Sequence, residues 1–415
     1  MSFTFEDMKE KIRYGINYGN ALECFDDHTG FTDDIIEHDQ VDMIGRSHPI
    51  KITHMDYNNL TDDNKPTITE CWCPEELWGN PETTTEIINY YKELGFTAVR
   101  LPVNAAWYHE FGSRHTDPKY LEYVRSVVDK IIDAGLFCCV VLFSEGYGAK
   151  FRDNAPYYED PENNPNAKLI ASHWTDVASV LTDIPEDKLA FELLNEFSFG
   201  APNDDNILNQ CKIIAKIYEM CINAIHKTGG YNAERMIGIG GYRGDANYTC
   251  DNFDAFAYLL ENPKHYLSFA MYLMPECTFL YKDLYNGKTD TTSLLDKNRI
   301  AEDIRGFIRL HEDGYNIVVS EYGAPNIVDC KDDFENDELV ATYMRDIYDL
   351  AVIERLWQDA LDIPSYYWDN GKIFDRYNLK ITISNIYDCI MLNLDDDVIE
   401  QYISLMRDSG SNGGD

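Results

Sequence analysis

The stretch Leu189-Ala190-Phe191-Glu192-Leu193-Leu194-Asn195-Glu196-Phe197 decides the fold. It is a short apolar run with one Glu inside, and it stops at Asn-Glu before a loop of Ser, Gly, Ala, Pro and Asn. Such a run reads as a strand buried on both faces, the pattern of a parallel sheet. A carboxylate at the mouth of a buried strand is costly to keep dry, so it needs partners or a purpose. A second stretch has the same form: Tyr315-Asn316-Ile317-Val318-Val319-Ser320-Glu321-Tyr322-Gly323-Ala324. Two strand-end glutamates in one chain suggest a paired-carboxylate site.

Working outward, the chain alternates strands and helices. Residues 12–20 read as a first strand and 4–12 as a short amphipathic helix before it. An acidic, turn-rich excursion follows from 25 to 78. Its His28, His38, His48 and His54 are spaced 10, 10 and 6 apart, which fits no ligand motif. A helix is signalled at Thr83-Thr84-Thr85-Glu86 and ends at Leu94-Gly95. Strands are then expected at 96–103, 136–143, 189–194, 235–240, 266–272, the Glu321 stretch and 364–368. Helices are expected at 118–134, 166–181, 205–228, 296–313, 336–358 and near 396–407. Eight strands, most of them followed by a helix, predict an α/β fold, a closed (β/α)8 TIM barrel forming a single domain with an extended loop after the first strand. A doubly wound sheet is the alternative, but no Gly-x-Gly-x-x-Gly follows the first strand. Residues 1–408 are read as the barrel, and 409–415, rich in Gly and Ser, as a linker stub from a chain that continues into another module.

Composition narrows the partners. With 415 residues and 44% apolar content, a large core is feasible. A net charge of −38 excludes nucleic acid and anionic membranes, which would repel the chain, and suits an uncharged substrate. The 11 cysteines form no zinc pattern and read as buried thiols. No apolar run is long enough to span a bilayer, no basic-then-apolar leader opens the chain, and neither a cofactor nor a metal is indicated.

In a barrel the strand C-termini converge on one face, where the site forms. This places Asn17, Asn20, Arg100, Ser144, Glu145, Asn195, Glu196, Tyr242, Tyr272, Glu321 and Trp368 there. Carboxyl groups of Glu196 and Glu321 about 5 Å apart would suit a retaining glycosidase. In that scheme a dry setting raises the Glu196 pKa, Arg100 keeps Glu321 ionised by pairing with it, Asn195 bonds a sugar 2-hydroxyl and Trp368 stacks on a ring. Glu192 is read as a structural group bonded inside the barrel, and Tyr366 and Tyr367 as packing.

Several ordered motifs resemble glycoside hydrolase family 5, the cellulase-type barrels of clan A. They are Gly15-Ile16-Asn17-Tyr18-Gly19-Asn20, the block from Trp78-Gly79-Asn80-Pro81 through residues 95–103 to Trp107, then Asn195-Glu196, Ser320-Glu321-Tyr322-Gly323 and Trp368-Asp369-Asn370-Gly371. The resemblance implies Glu196 as acid/base and Glu321 as nucleophile, with Asn20, Arg100, Asn195, Tyr272 and Trp368 binding substrate. It also implies a secreted, retaining endo-β-glycanase acting on plant cell-wall β-1,4-glucan or related hemicellulose, as a monomeric barrel within a multi-module chain. Two departures stand out. The family usually has a His-His pair after the third strand, where this chain has Ser144-Glu145. It usually has a His before the Tyr after the sixth strand, where Met271 or Ala270 stands here. Glu145 either adds a third negative charge at the mouth or pairs with Lys150 or Arg152. The alternative reading of the whole chain is therefore a catalytically weakened or inactive barrel that binds polysaccharide.

Overall fold

A computed structural model of the chain describes residues 2–24, 35–41, 47–53, 74–108, 114–144, 147, 161–198, 207–275, 277, 293–323, 337–395, 397, 399 and 402. Eight parallel strands close into a barrel: β1 (Gly15–Tyr18), β2 (Ala98–Val103), β3 (Phe137–Leu142), β4 (Leu189–Glu192), β5 (Ile237–Gly240), β6 (His265–Met271), β7 (Ile317–Tyr322) and β8 (Ser365–Asp369). Every strand pairs with its neighbour in sequence, and β8 closes on β1 through Gly15↔Tyr366 and Asn17↔Trp368. This is the expected (β/α)8 architecture.

The strands alternate between two cores. Ile16, Val99, Leu101, Val140, Phe191, Ile239, Leu267 and Val319 pack outward against the helices. Ala98, Phe137, Cys139, Ala190, Tyr266, Val318 and Tyr366 fill the barrel interior at its N-terminal end. Helix α1 (Phe5–Lys11) closes that end, with Phe3, Phe5, Met8 and Ile12 in the same cluster. A capping box holds its start: Asp7 N–H donates to Thr4 Oγ1, and Thr4 N–H to Asp7 Oδ2. Burying each of these large side chains stabilises the plug by roughly 1.5–3 kcal/mol.

The outer layer comprises α2 (Thr85–Glu93), α3 (Pro118–Asp133), α4 (Pro165–Ser179), α5 (Ile207–Lys227), α6 (Ala246–Asp251), α7 (Lys297–Glu312), α8 (Asp337–Ala360) and α9 (Ser384–Ile390). The expected caps are present: Thr84 Oγ1 accepts from Ile87 N–H, and Gly95 takes φ 95°, a left-handed value that ends α2 at glycine's low cost.

The structure differs from the sequence reading in places. The excursion read as turn-rich contains an antiparallel hairpin, Ile35–Val41 with Ser47–Thr53. Helices α6 and α9 went unread, being only 6 and 7 residues long. The stretch 235–240 is strand only from Ile237, after a 3-10 turn at Gly230–Glu234. The helix expected near 396–407 and the stub at 409–415 fall largely outside the described residues. Cys138, Cys139, Cys211 and Cys221 are buried thiols, as expected. Among the described residues no helix is long and apolar enough to cross a membrane.

Candidate active site

Above the apolar floor the barrel interior turns polar, and one cation organises it. Arg100, on β2, is fully buried. Its Nε and Nη2 donate to the two oxygens of Glu192 at 2.8 and 2.6 Å. Nη2 also donates to Asn195 Oδ1, and Nη1 to Asn17 Oδ1, both at 2.7 Å. Asn17 in turn donates to the Ser320 and Tyr366 carbonyls. Five barrel strands or their ends are thereby tied to one guanidinium. Burial alone would lower the Arg100 pKa, but the Glu192 carboxylate more than offsets this and raises it. The expectation that Glu192 is a structural group is met by this bidentate pair.

The pairing expected between Arg100 and Glu321 is looser than the sequence reading had it. Arg100 Nη1 lies 3.7 Å from Glu321 Oε2, beyond hydrogen-bond range, because the fork is already occupied by Glu192. Glu321 instead accepts the Tyr272 phenol on Oε1 at 2.6 Å. Burial pushes the Glu321 carboxyl above its ordinary range, while Arg100 and the Tyr272 hydrogen bond pull it back and nearby Glu192 pushes it up.

A β-bulge aims Glu321 at this cluster. Simple alternation from inward Val318 and outward Val319 would turn Ser320 inward and Glu321 outward. The register slips by one residue against both neighbours: Phe269↔Val319 is followed by Ala270↔Glu321, and Ser365↔Val319 by Tyr367↔Tyr322. The extra residue rotates Glu321 into the lumen and Tyr322 out to the helical core.

Glu196 stands past the end of β4 with φ 44°, a left-handed conformation sparsely used by non-glycine residues. It is exposed, which overturns the expected dry setting. The strand ends at Glu192, and the four residues beyond it carry Glu196 above the rim. A Cβ placed on Gly244 would lie 3.2 Å from Glu196 Cγ and 3.5 Å from Ala270 N. Glu196 therefore sits over β6, whose Ala270 is the cross-strand partner of Glu321.

The other expected site residues divide. Asn195 and Tyr272 join the Arg100–Glu321 cluster. Trp368 is half-buried, its indole packed against the β1 turn so closely that a Cβ on Gly19 would meet it at 2.6 Å. Asn20 takes φ 51° in that turn, its N–H donating to buried Glu23. Asn80 Nδ2 bridges the Asn20 and Asn370 carbonyls, tying together three of the stretches that carry the family resemblance. Asn17 and Tyr242 are not at the mouth: Asn17 is locked in the lumen, and Tyr242 is buried against Tyr248 in the outer core. Met271 also faces the outer core, so the inward position before Tyr272 belongs to Ala270, which is half-buried. Counting in twos from inward Tyr266 would have settled that choice. Ser144 is half-buried at the end of β3, its carbonyl accepting from Tyr147 N–H. Glu145, Lys150 and Arg152 lie outside the described residues.

The sequence profile of the cellulases (glycosyl hydrolase family 5) matches residues 58–372. Endoglucanase A of Paenibacillus barcinonensis is 26% identical over 348 residues, covering 76% of this chain and 82% of that protein. Endoglucanase A of Clostridium longisporum is 24% identical over 334 residues, 79% of this chain; the match spans 57% of that longer protein. Among solved structures, a Bacteroides ovatus GH5 xyloglucanase in complex with a XXXG heptasaccharide superposes with a TM-score of 0.69 at 18% identity, over 95% of this chain and 78% of that one.

Proposed function

The chain belongs to the cellulase family, glycosyl hydrolase family 5, and is a glycoside hydrolase of the endoglucanase type; from that premise we propose that it cleaves plant cell-wall β-1,4-glucan or a related hemicellulose with retention, Glu321 attacking and Glu196 serving as acid and then base. One observation carries the reading: the bulge in β7 turns Glu321 onto the Tyr272 phenol, within 3.7 Å of Arg100.

In the first step a Glu321 oxygen bonds to the anomeric carbon as the glycosidic C–O bond breaks, and Glu196 gives its proton to the leaving oxygen. In the second, Glu196 takes a proton from water, whose oxygen displaces Glu321 and regenerates the carboxylate. Exposure suits Glu196 to meet a polymer and solvent water in turn. With Asn195 Oδ1 engaged by Arg100, its Nδ2 is the end that donates to a sugar hydroxyl. The half-buried Trp368 offers a ring surface for stacking. We place the enzyme outside the cell, where its polymer is, as a catalytic module of a larger chain.

Purified protein incubated with carboxymethylcellulose, mixed-linkage β-glucan, xyloglucan, mannan and xylan tests this. Hydrolysis of at least one glucan-backbone polymer is expected. Binding to a polymer with no hydrolysis of any would establish instead the polysaccharide-binding reading, which the small Ala270 in place of a donor side chain favours.

Tyr272→Phe separates the phenol's role from packing. The O–H stabilises the ionised form of Glu321, so its loss raises that pKa further. A hydrogen bond to a charged group is worth about 1.5–3 kcal/mol, so kcat should fall about tenfold to a hundredfold and the acid limb of the pH–rate profile should move up by about one to two pH units. An unmoved acid limb would show that the phenol does not tune Glu321.

A further inference from the structure

The main chain just beyond Tyr272 is pinned, and the pins come from the helical layer. β6 ends at Met271, so the N–H groups of Leu273 and Met274, two and three residues on, lie beyond the strand. Leu273 N–H donates to Glu354 Oε1 at 2.9 Å, and Met274 N–H to Asp303 Oδ2 at 2.8 Å. Glu354 is on α8 and Asp303 on α7, the helices flanking β7. Leu273 is 1% exposed, and Met274 takes φ 45°, so this turn is buried and conformationally costly.

Glu354 is unusual for its place. It is 3% exposed, in a stretch of helix where Leu350, Ala351, Val352, Ile353 and Leu356 are buried and apolar and only Arg355 and Gln358 are buried polar neighbours. Burial, with the charge of Asp303, pushes its carboxyl up to about 8 against the opposing pull of the Leu273 N–H bond. A hydrophobic side chain there would pack without that desolvation cost, so a buried carboxyl needs a reason. It does not take part in the double displacement. What it does touch is the peptide that follows Tyr272.

We propose that Glu354, aided by Asp303, is a positioning residue: by holding the Leu273–Met274 backbone it keeps the Tyr272 phenol on Glu321 Oε1. This rests on the reading of Glu321 as nucleophile. A side chain can be aimed to within hydrogen-bond tolerance only if its own backbone is fixed, and the left-handed turn at Met274 would relax once its N–H partners were lost.

The test compares Glu354→Leu, Glu354→Gln and Asp303→Ala, each with and without Tyr272→Phe, by kcat, KM, pH–rate profile and melting. Glu354→Leu is expected to lower kcat about tenfold with KM within about twofold, and to move the acid limb upward as Tyr272→Phe does. Glu354→Gln keeps a carbonyl acceptor for Leu273 N–H and should restore most of the rate. In the Tyr272→Phe background Glu354→Leu should cost less than about twofold more, because the phenol it positions is gone. Equal losses in both backgrounds, an unmoved acid limb, or a Gln variant as poor as Leu would overturn the proposal. Should Glu354→Leu fail to fold, Asp303→Ala, whose side chain is less enclosed, decides by the same comparison between backgrounds. Glu321→Gln keeps the readings apart: if it retains turnover, the nucleophile assignment fails, whereas an inactive Glu321→Gln with additive Glu354 effects sinks only the positioning role.

Discussion

Glu321→Gln is expected to leave a folded barrel whose turnover is lower by about four orders of magnitude or more, the scale on which removing a nucleophile acts. Gln has the same shape, and its carbonyl oxygen still accepts the Tyr272 phenol that Oε1 now receives. Arg100 keeps Glu192 and its two Asn partners, so the lumen network stays intact. Burial works against the Glu321 charge, so replacing it with a neutral amide should hold or raise the melting temperature. Rates on a soluble glucan and a thermal melt check both parts. A folded variant with more than about one percent of wild-type turnover would mean that another group attacks the sugar.

The second large effect concerns Arg100. Arg100→Met leaves Glu192 buried with no cation and removes the donors to Asn17 and Asn195. Breaking a buried pair from one side typically costs about 3–5 kcal/mol, and activity should be lost with it, since Glu321 also loses its nearest cation. Glu192→Leu alone should be costly for the same reason, because it strands the guanidinium. The double variant Arg100→Met/Glu192→Leu should recover most of the stability, since neither charge is then stranded, yet remain inactive. Urea denaturation of the four proteins measures the coupling. Strictly additive losses would show that the two side chains do not depend on each other, contrary to the bidentate geometry.

How much of this was readable from residues alone follows from what each feature depends on. The barrel was legible because its strands are buried on both sides: runs such as Phe137-Cys138-Cys139-Val140-Val141-Leu142 carry the parallel-sheet pattern within themselves. The helix start at Thr84 was equally local, its side chain accepting an N–H of its own first turn; Asp117 and Asn164 cap their helices in the same way but went unread. Glu192 was legible as a structural group because it lies inside an apolar strand.

Features set by contacts between distant segments were not legible. The bulge at Ser320–Glu321 is defined only by register against β6 and β8. Arg100 had two acidic candidates in sequence, and only the barrel geometry shows that Glu192 fills the guanidinium fork and leaves Glu321 at 3.7 Å. Glu196 was expected to be dry because the acid role in the retaining scheme asks for a raised pKa, but the chain leaves the sheet at Glu192 and carries it into solvent. Glu354 lies 82 residues beyond Tyr272, on a mostly apolar helix, where nothing local marks it as a partner of the Leu273 peptide.

Retention by double displacement requires Glu321 to form a covalent bond to the sugar. An activated 2-deoxy-2-fluoro cello-oligosaccharide tests it most directly, because the fluorine slows both displacement steps while a good leaving group lets the first proceed. Peptide mapping by mass spectrometry of the inactivated protein is expected to find one adduct, on Glu321, whose formation a competing glucan slows. An adduct on Glu196 or another carboxylate, or none while the sugar is released with inverted anomeric configuration, would contradict the account.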